Sequence, residues 1–471
     1  WDVCCKQGNE IEQTTYKTAM GRADQVNGTY KDRGGKELNK GGGTILMQRY
    51  SRYVGPGGGE AFKDLNRIRF VHHYYDLTGD KYNHIHIRDL VFTDDNWPEM
   101  GQPFLGRYLS AEAEHGIMTR GATDDLTFNY TKEASNGEYV GYINTKGSKI
   151  RLPMNIMQAG DYIMRYRYAN GGDNDATHKV TVNGKAQTVK LPKTGAWGSF
   201  PEKSVAMVPA KLKRGGNFIE VEPDQNFAEL DRIDFLRVIR DTIPGNGFDN
   251  GIKVHLTNDD KLAVKSGGYA IFENVVTDSI KSTEVKVELQ QCSGGTLSIR
   301  EGSASGTELS KCTVPSSCAN GAWTEVNCSA TKKLSGVKDF YLTGSGMSGE
   351  VLVGNIRFGK IAEPPASSSS VVPPASSSSA APEESSSSIA EVSSSSEIST
   401  ALAQAKSLKT GYKLTANALG YTFHFDRPGN YEIIVMNPLG QLMARKTVRM
   451  ESEVSLQGLP KGKYVFKVMN R

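Results

Sequence analysis

Long apolar runs are missing from this chain, and nothing approaches the roughly 18 residues that a membrane-spanning helix needs. An excess of one charge is missing too, since 56 lysines and arginines face 52 aspartates and glutamates. A formal charge of +4 leaves no electrostatic footprint for a polyanion, which argues against nucleic acid as the main ligand. Long helical patterns are scarce, whereas Gly, Thr, Val and Tyr are plentiful, so an all-β fold is expected. No signal segment precedes Trp1. Trp1-Asp2-Val3-Cys4-Cys5 reads as the middle of a strand, so a longer parent protein is expected and the missing signal says nothing about location. At 471 residues the chain exceeds one hydrophobic core, and three or four domains are expected.

Cysteine is sparse but clustered. Four of the six (Cys292, Cys312, Cys318 and Cys328) fall in one stretch, with no histidine nearby at metal-ligand spacing. That pattern favours two disulfides over zinc or free thiols, and so an oxidising compartment. Cys4-Cys5 stays ambiguous, because adjacent cysteines bridge only with strain.

Composition marks the boundaries. Residues 361–400 are Pro, Ala, Glu and Ser, with tetra-serine runs beginning at Ser367, Ser376, Ser385 and Ser393. Such a segment buries too little apolar surface to offset its ordering entropy, and a disordered linker is expected, with a typical span of about 35 Å. Before it, alternating strands are separated by Gly, Asn and Asp turns. Asn183-Gly184, between "KVTV" and "KAQTVKL", has the signature of a type I′ hairpin. After the linker, strands flank a turn at Asn437-Pro438-Leu439-Gly440, and a small β-sandwich is expected.

Within residues 1–108, five elements follow in order: Cys4-Cys5, Tyr16 to Arg22, Gly41 to Thr44, Gly55-Pro56-Gly57, and His73 to Pro98. This set resembles the last blades of glycoside hydrolase family 43, nearest to its endo-1,5-α-L-arabinanases. One departure is Gly58, where many members have histidine. The resemblance implies a five-bladed β-propeller, here partial, and inverting hydrolysis with an Asp base, a Glu acid and a second Asp that tunes the acid. Inversion needs acid and base roughly 6.5–9.5 Å apart to leave room for water. In the family these carboxylates precede the Cys-Cys strand, so this chain is expected to lack them and to be inactive alone. The resemblance also implies that His73 reaches the propeller centre and a metal ion, usually calcium. On strand alternation His72 points to the opposite face and reads as structural.

Residues 109–243 carry "AEAE" (Ala111 to Glu114), "NGEYVGYI", "GDYIMRYRYANGG", "GAW" and "DRIDFLRV". They resemble carbohydrate-binding modules of families 35 and 6, which are β-sandwich jelly rolls. Sugars pack C–H faces on aromatic rings while a few placed polar groups take the hydroxyls. Trp197 matches the family's ligand-binding Trp, and Tyr142 and Asn170 lie where they would complete the cleft. Glu112, Glu114 and Asp234 match positions that hold a structural calcium, an ion that collects carboxylates from separate strands. Residues 244–360 resemble a diverged family 6 module through "GGYAIFENV", "KCTVPSSCANGAWTEVNCS" and "IRFGK". Tyr269 and Trp323 match the two aromatics that sandwich a sugar there. Cys312 and Cys328 match a frequent pair of that family, which leaves Cys292 with Cys318. This copy lacks the "AEAE" opening, so calcium is not expected in it.

The segment 401–471, with eleven basic and four acidic residues, resembles the C-terminal sorting domains of type IX secretion through "VMNPLG" and "LPKGKYV". That implies a bacterial protein, secreted or attached to the cell surface, whose tail meets the secretion machinery. Together the resemblances imply a plant cell-wall polysaccharide hydrolase acting on arabinan, with xylan or pectin side chains as further partners. The alternatives are a non-catalytic polysaccharide-binding surface protein, or a parent acting on xylan as a β-xylosidase or arabinofuranosidase.

Overall fold

A computed structural model describes residues 8–78, 82–122, 126–278, 280–319, 322–330, 334–360, 412–417, 420–436, 442–457 and 465–470. Cys4-Cys5, the serine-rich segment, the Asn437–Gly440 turn and most of "LPKGKYV" lie outside them. The described residues form strands and short 3₁₀ turns, as the composition predicted, and no helix among them is long and apolar enough to cross a membrane. Two compact units are present, residues 1–276 with 282–358, and residues 277–281 with 359–471.

The first unit opens with a short antiparallel pair, Thr18–Met20 with Thr44–Met47, and a four-stranded antiparallel meander. Its strands are Tyr53–Asp64, Arg67–Asp76, Asn83–Phe92 and Pro98–Pro103, each paired to the next in sequence. One face is buried through Phe70, His72, Tyr74, Arg88 and Leu90. The other presents Val71, His73, Ile85 and Ile87, with Ile85 70% exposed. His72 and His73 therefore do face opposite ways, as strand alternation requires. Gly58 has φ +57°, and a Cβ there would lie 2.8 Å from His73 Nδ1, so the imidazole fills the space that a side chain at position 58 would need.

Residues 110–238 form two sheets packed face to face. Period-two burial builds the interior: Tyr162, Met164, Tyr166 and Tyr168 point inward from Gly160–Ala169, while Arg165 and Arg167 point outward. They meet Val180, Val189, Ile219, Val221, Ile233 and Phe235 in one core. Burying each such side chain contributes about 1.5–3 kcal/mol. Val182 pairs with Lys185 across Asn183 (φ 49°) and Gly184 (φ 83°), which is the predicted type I′ hairpin.

The strands of the next module begin at Thr242, close to the expected boundary, where Thr242–Pro244 pairs with Val351–Lys360. The strands on either side of this boundary belong to one continuous sheet. Glu229–Val238 runs parallel to Leu262–Val276, with Arg237 opposite Val275 and Val238 opposite Val276. Beneath it, Arg237 and Asp249 form a doubly hydrogen-bonded pair at 2.9 and 2.7 Å, with side chains 1% and 0% exposed. Glu273 accepts the N–H groups of Tyr108 and Leu109 at 2.7 and 3.0 Å. Arg67 of the meander donates to the carbonyls of Asp249 and Asn155. These buried polar contacts fix the meander and both modules to one another. The disulfides are Cys312–Cys328 and Cys292–Cys318, the pairing that the family resemblance implied.

In the second unit, Gly420–Met436 pairs along one edge with Leu442–Gln457, and along the other with Tyr412–Asn417 and Val465–Asn470. These strands make one four-stranded antiparallel sheet, with Phe423, Ile433 and Val435 buried.

Candidate carbohydrate-binding site

The strand Gly160–Ala169 delivers the chain to Asn170, which organises the loop carrying Trp197. The Asn170 carbonyl accepts Thr194 N–H at 2.8 Å, and its own N–H donates to Thr194 Oγ1 at 2.9 Å. Its side-chain amide donates to the carbonyls of Asn174 and Leu191 at 3.0 and 2.9 Å, while its Oδ1 accepts Gly172 N–H. Asn170 is fully buried with both amide hydrogens committed, so it shapes the cleft instead of lining it, contrary to the expectation that it completes the ligand surface. A Cβ on Gly171 would lie 2.4 Å from Trp197 N, so this loop packs only against a residue without a side chain. Glu229 anchors the far side by accepting Gly198 N–H, and burial raises its pKa.

Trp197 emerges 40% exposed, and Tyr142 51% exposed. Between them lies Phe227, a residue that the sequence reading did not single out. Its ring is 4.5 Å from that of Trp197 at 3°, and 6.0 Å from that of Tyr142 at 12°. Three near-parallel rings thus form a stepped row, drawn from the Gly141–Ser148, Pro192–Phe200 and Pro223–Glu229 segments. Tyr142 and Asn226 hold φ of 53° and 54°, an uncommon left-handed backbone that concentrates at functional loops. Asn226 Nδ2 bonds the Asp175 carbonyl at 2.7 Å and fixes the turn that presents Phe227.

The second module is plainer. Trp323 is 44% exposed and packs on Gly354, where a Cβ would lie 2.7 Å from the indole, with Lys261 Nζ 5.7 Å from the ring centroid. Tyr269 is half-buried and meets Tyr341 at 5.6 Å. Trp323 and Tyr269 therefore have separate neighbours, and no direct ring contact joins them.

The residues matched to a calcium site, Glu112, Glu114 and Asp234, each have hydrogen-bond partners of their own. Asp234 is buried with its carboxylate already engaged. It accepts Ser110 Oγ at 2.8 Å and Arg165 at 3.0 and 2.8 Å, and it pairs with Arg232 Nε at 3.0 Å. The cause is register, since Arg165 stands directly opposite Asp234 in the sheet. Glu112 instead accepts Ser135 Oγ, a hydroxyl that also reaches Asp231. Glu114 Oε1 accepts Asn136 Nδ2 at 3.0 Å, and its Oε2 has no partner. Burial pushes the Glu112 carboxyl up to about 7, and burial beside Glu112 raises Glu114 well above the usual carboxylate range. Among the described residues no group of three or more His, Cys, Asp or Glu is placed to hold a metal ion. His73 likewise has aromatic neighbours: it stacks on Tyr16 at 5.9 Å and 5°, and burial lowers its pKa.

Residues 250–360 match the sequence model of the carbohydrate binding module, family 6. Over 110 residues the chain is 31% identical to the extracellular exo-α-(1→5)-L-arabinofuranosidase ArbA of Cellvibrio japonicus, covering 23% of this chain and 30% of that protein. Over 98 residues it is 36% identical to the extracellular endo-α-(1→5)-L-arabinanase 1 of Bacillus subtilis, covering 21% and 28%. Over 139 residues it is 29% identical to α-L-arabinofuranosidase C of Cellvibrio japonicus, covering 29% and 21%. The chain spans less than a third of the length of each of these relatives. Residues 250–360 thus resemble a carbohydrate-binding module, and parts of the chain are similar to parts of proteins named as arabinan-active glycoside hydrolases.

Proposed function

We propose that this chain is the substrate-holding part of a secreted glycoside hydrolase of family 43, whose parent cleaves α-L-arabinofuranosyl linkages of plant cell-wall arabinan with inversion. The observation that carries the binding half is the row of Tyr142, Phe227 and Trp197. The exposed Tyr142 and Trp197 and the partly buried Phe227 suit sugar faces, which gain from C–H contact on a π surface. The hydrolase half rests on the ordered motifs of residues 1–108 and on relatives named arabinofuranosidase and arabinanase. A four-stranded meander with an apolar free face at Val71, Ile85 and Ile87 supports its reading as a propeller blade. In this reading the basic C-terminal sheet directs the protein to the cell surface.

The catalytic carboxylates belong to the parent, so the 471-residue chain binds without cleaving. Affinity electrophoresis in gels containing linear arabinan, with a reducing-sugar assay alongside, tests both halves. Retarded migration with no sugar release is expected. Unretarded migration would remove the binding half, and released arabinose or arabino-oligosaccharides would overturn the assignment of catalysis elsewhere.

A further inference from the structure

The ring row differs from a single exposed tryptophan in a way that bears on what it recognises. Phe227 stacks on two neighbours, 4.5 Å from Trp197 at 3° and 6.0 Å from Tyr142 at 12°. At 6.0 Å between near-parallel rings the stack with Tyr142 is slipped, and Phe227 is only partly buried. The indole is meanwhile confined by the Gly171–Gly172 backbone, since a Cβ on Gly172 would lie 3.4 Å from Trp197 Cζ2. Much of the indole is therefore covered by its own protein, and the open π surface is shared along the row.

Charge on the same loops selects among sugars. The segments 141–148, 170–175, 192–200 and 223–229 expose Asp173, Asp175 and Asp224 against Lys146 and Lys193, while Glu229 is buried on Gly198 N–H. Among the described residues no arginine or lysine stacks on the three rings. A net negative surround repels carboxylate-bearing chains and leaves uncharged ones unaffected.

We propose that Phe227 is a ligand-contacting ring, and that the Tyr142–Phe227–Trp197 row binds neutral sugar chains and rejects uronate-bearing ones. This rests on the carbohydrate-binding reading given above. The full chain carrying Trp323→Ala, which silences the second module's exposed ring, is titrated with linear arabinan, xylan and polygalacturonate. The same titrations are repeated after adding Phe227→Ala or Phe227→Tyr. Near-ultraviolet circular dichroism and thermal unfolding check that the loops remain folded.

The expected result is binding to a neutral polymer, at least 10-fold weaker in Phe227→Ala and restored by Phe227→Tyr, with no binding of polygalacturonate. Unchanged or tighter binding in Phe227→Ala would overturn the proposal, because Phe227 would then be a spacer or a cap over Trp197. Preference for polygalacturonate would overturn the selectivity. Loss of all polysaccharide binding in the otherwise unsubstituted chain would sink the underlying reading along with it.

Discussion

The first module holds three rings in register without a cysteine anywhere between residues 109 and 243, whereas the second presents Trp323 apart from Tyr269 and is closed by two disulfides. The first relies on a wide core in which Tyr162, Tyr166, Ile233 and Phe235 are almost fully buried, and on cross-strand pairs such as Arg165 with Asp234. In the second, the paired strands Thr307–Thr313 and Thr324–Ala330 bring Cys312 opposite Cys328 and the bridge locks that register. The first module thus closes without a covalent bridge, whereas the second adds two disulfides to a buried core of its own that includes Phe272, Leu289, Leu297 and Phe340. The aromatic surface built on each also differs in how much of it is preorganised.

The largest effect is expected where the two modules join. Arg237→Gln leaves Asp249 buried without its guanidinium, and losing one partner of a buried pair costs about 3–5 kcal/mol. Thermal unfolding should show both modules destabilised together. A shift confined to one of them would mean that the joint does not couple them.

Reduction should separate the modules instead. Removing a bridge of this loop size costs about 2–4 kcal/mol, so dithiothreitol should lower the second module's transition more than the first's. Limited proteolysis followed by mass spectrometry assigns each transition. Equal sensitivity of both modules to the reductant would break the comparison.

Binding comes next. Truncating an exposed aromatic anchor costs about 2 kcal/mol or more, roughly 30-fold in affinity. Trp197→Ala is expected to reach that loss on a neutral polymer, and Trp323→Ala to fall short of it, because its ring has no stacked aromatic neighbour. Isothermal titration measures both, and the reverse order would transfer the main site to the second module.

The smallest effect concerns pH. Burial pushes the Glu112 and Glu273 carboxyls up to about 7. The fold then binds more protons than the unfolded chain above the usual carboxylate range, so their contribution is lost as pH rises toward and through 7. Burial lowers His72 and His86 to about 4 and about 3, so their contribution is lost as pH falls below 6.5. Melting temperature should therefore decline from about pH 6.5 to 8, and Glu273→Gln should flatten part of that decline. A flat wild-type profile over the same range would contradict the burial of these carboxyls.

Some of this was legible in the chain and some was not, for identifiable reasons. The Asn183-Gly184 hairpin was readable because a type I′ turn demands those residues locally. Trp197 stood out because glycines flank it on both sides. Phe227 did not, since its position against Trp197 depends on two loops separated by about thirty residues of sheet, which no local pattern encodes. Asp234 shows the same limit of a local pattern. A carboxylate suits calcium in isolation, but the register that sets Arg165 opposite it emerges only from the folded sheet. Asn170 was read as reaching the ligand because it ends a strand beside a loop, yet its amide is turned inward to two carbonyls.

The central claim, that this chain holds polysaccharide through the first module's aromatic row, is tested most directly by affinity electrophoresis on linear arabinan and xylan. The unsubstituted chain is run beside Trp197→Ala and Trp323→Ala. Retardation of the unsubstituted chain, mostly abolished by Trp197→Ala and only reduced by Trp323→Ala, is the predicted result. Equal retardation of the unsubstituted and Trp197→Ala proteins would contradict the account.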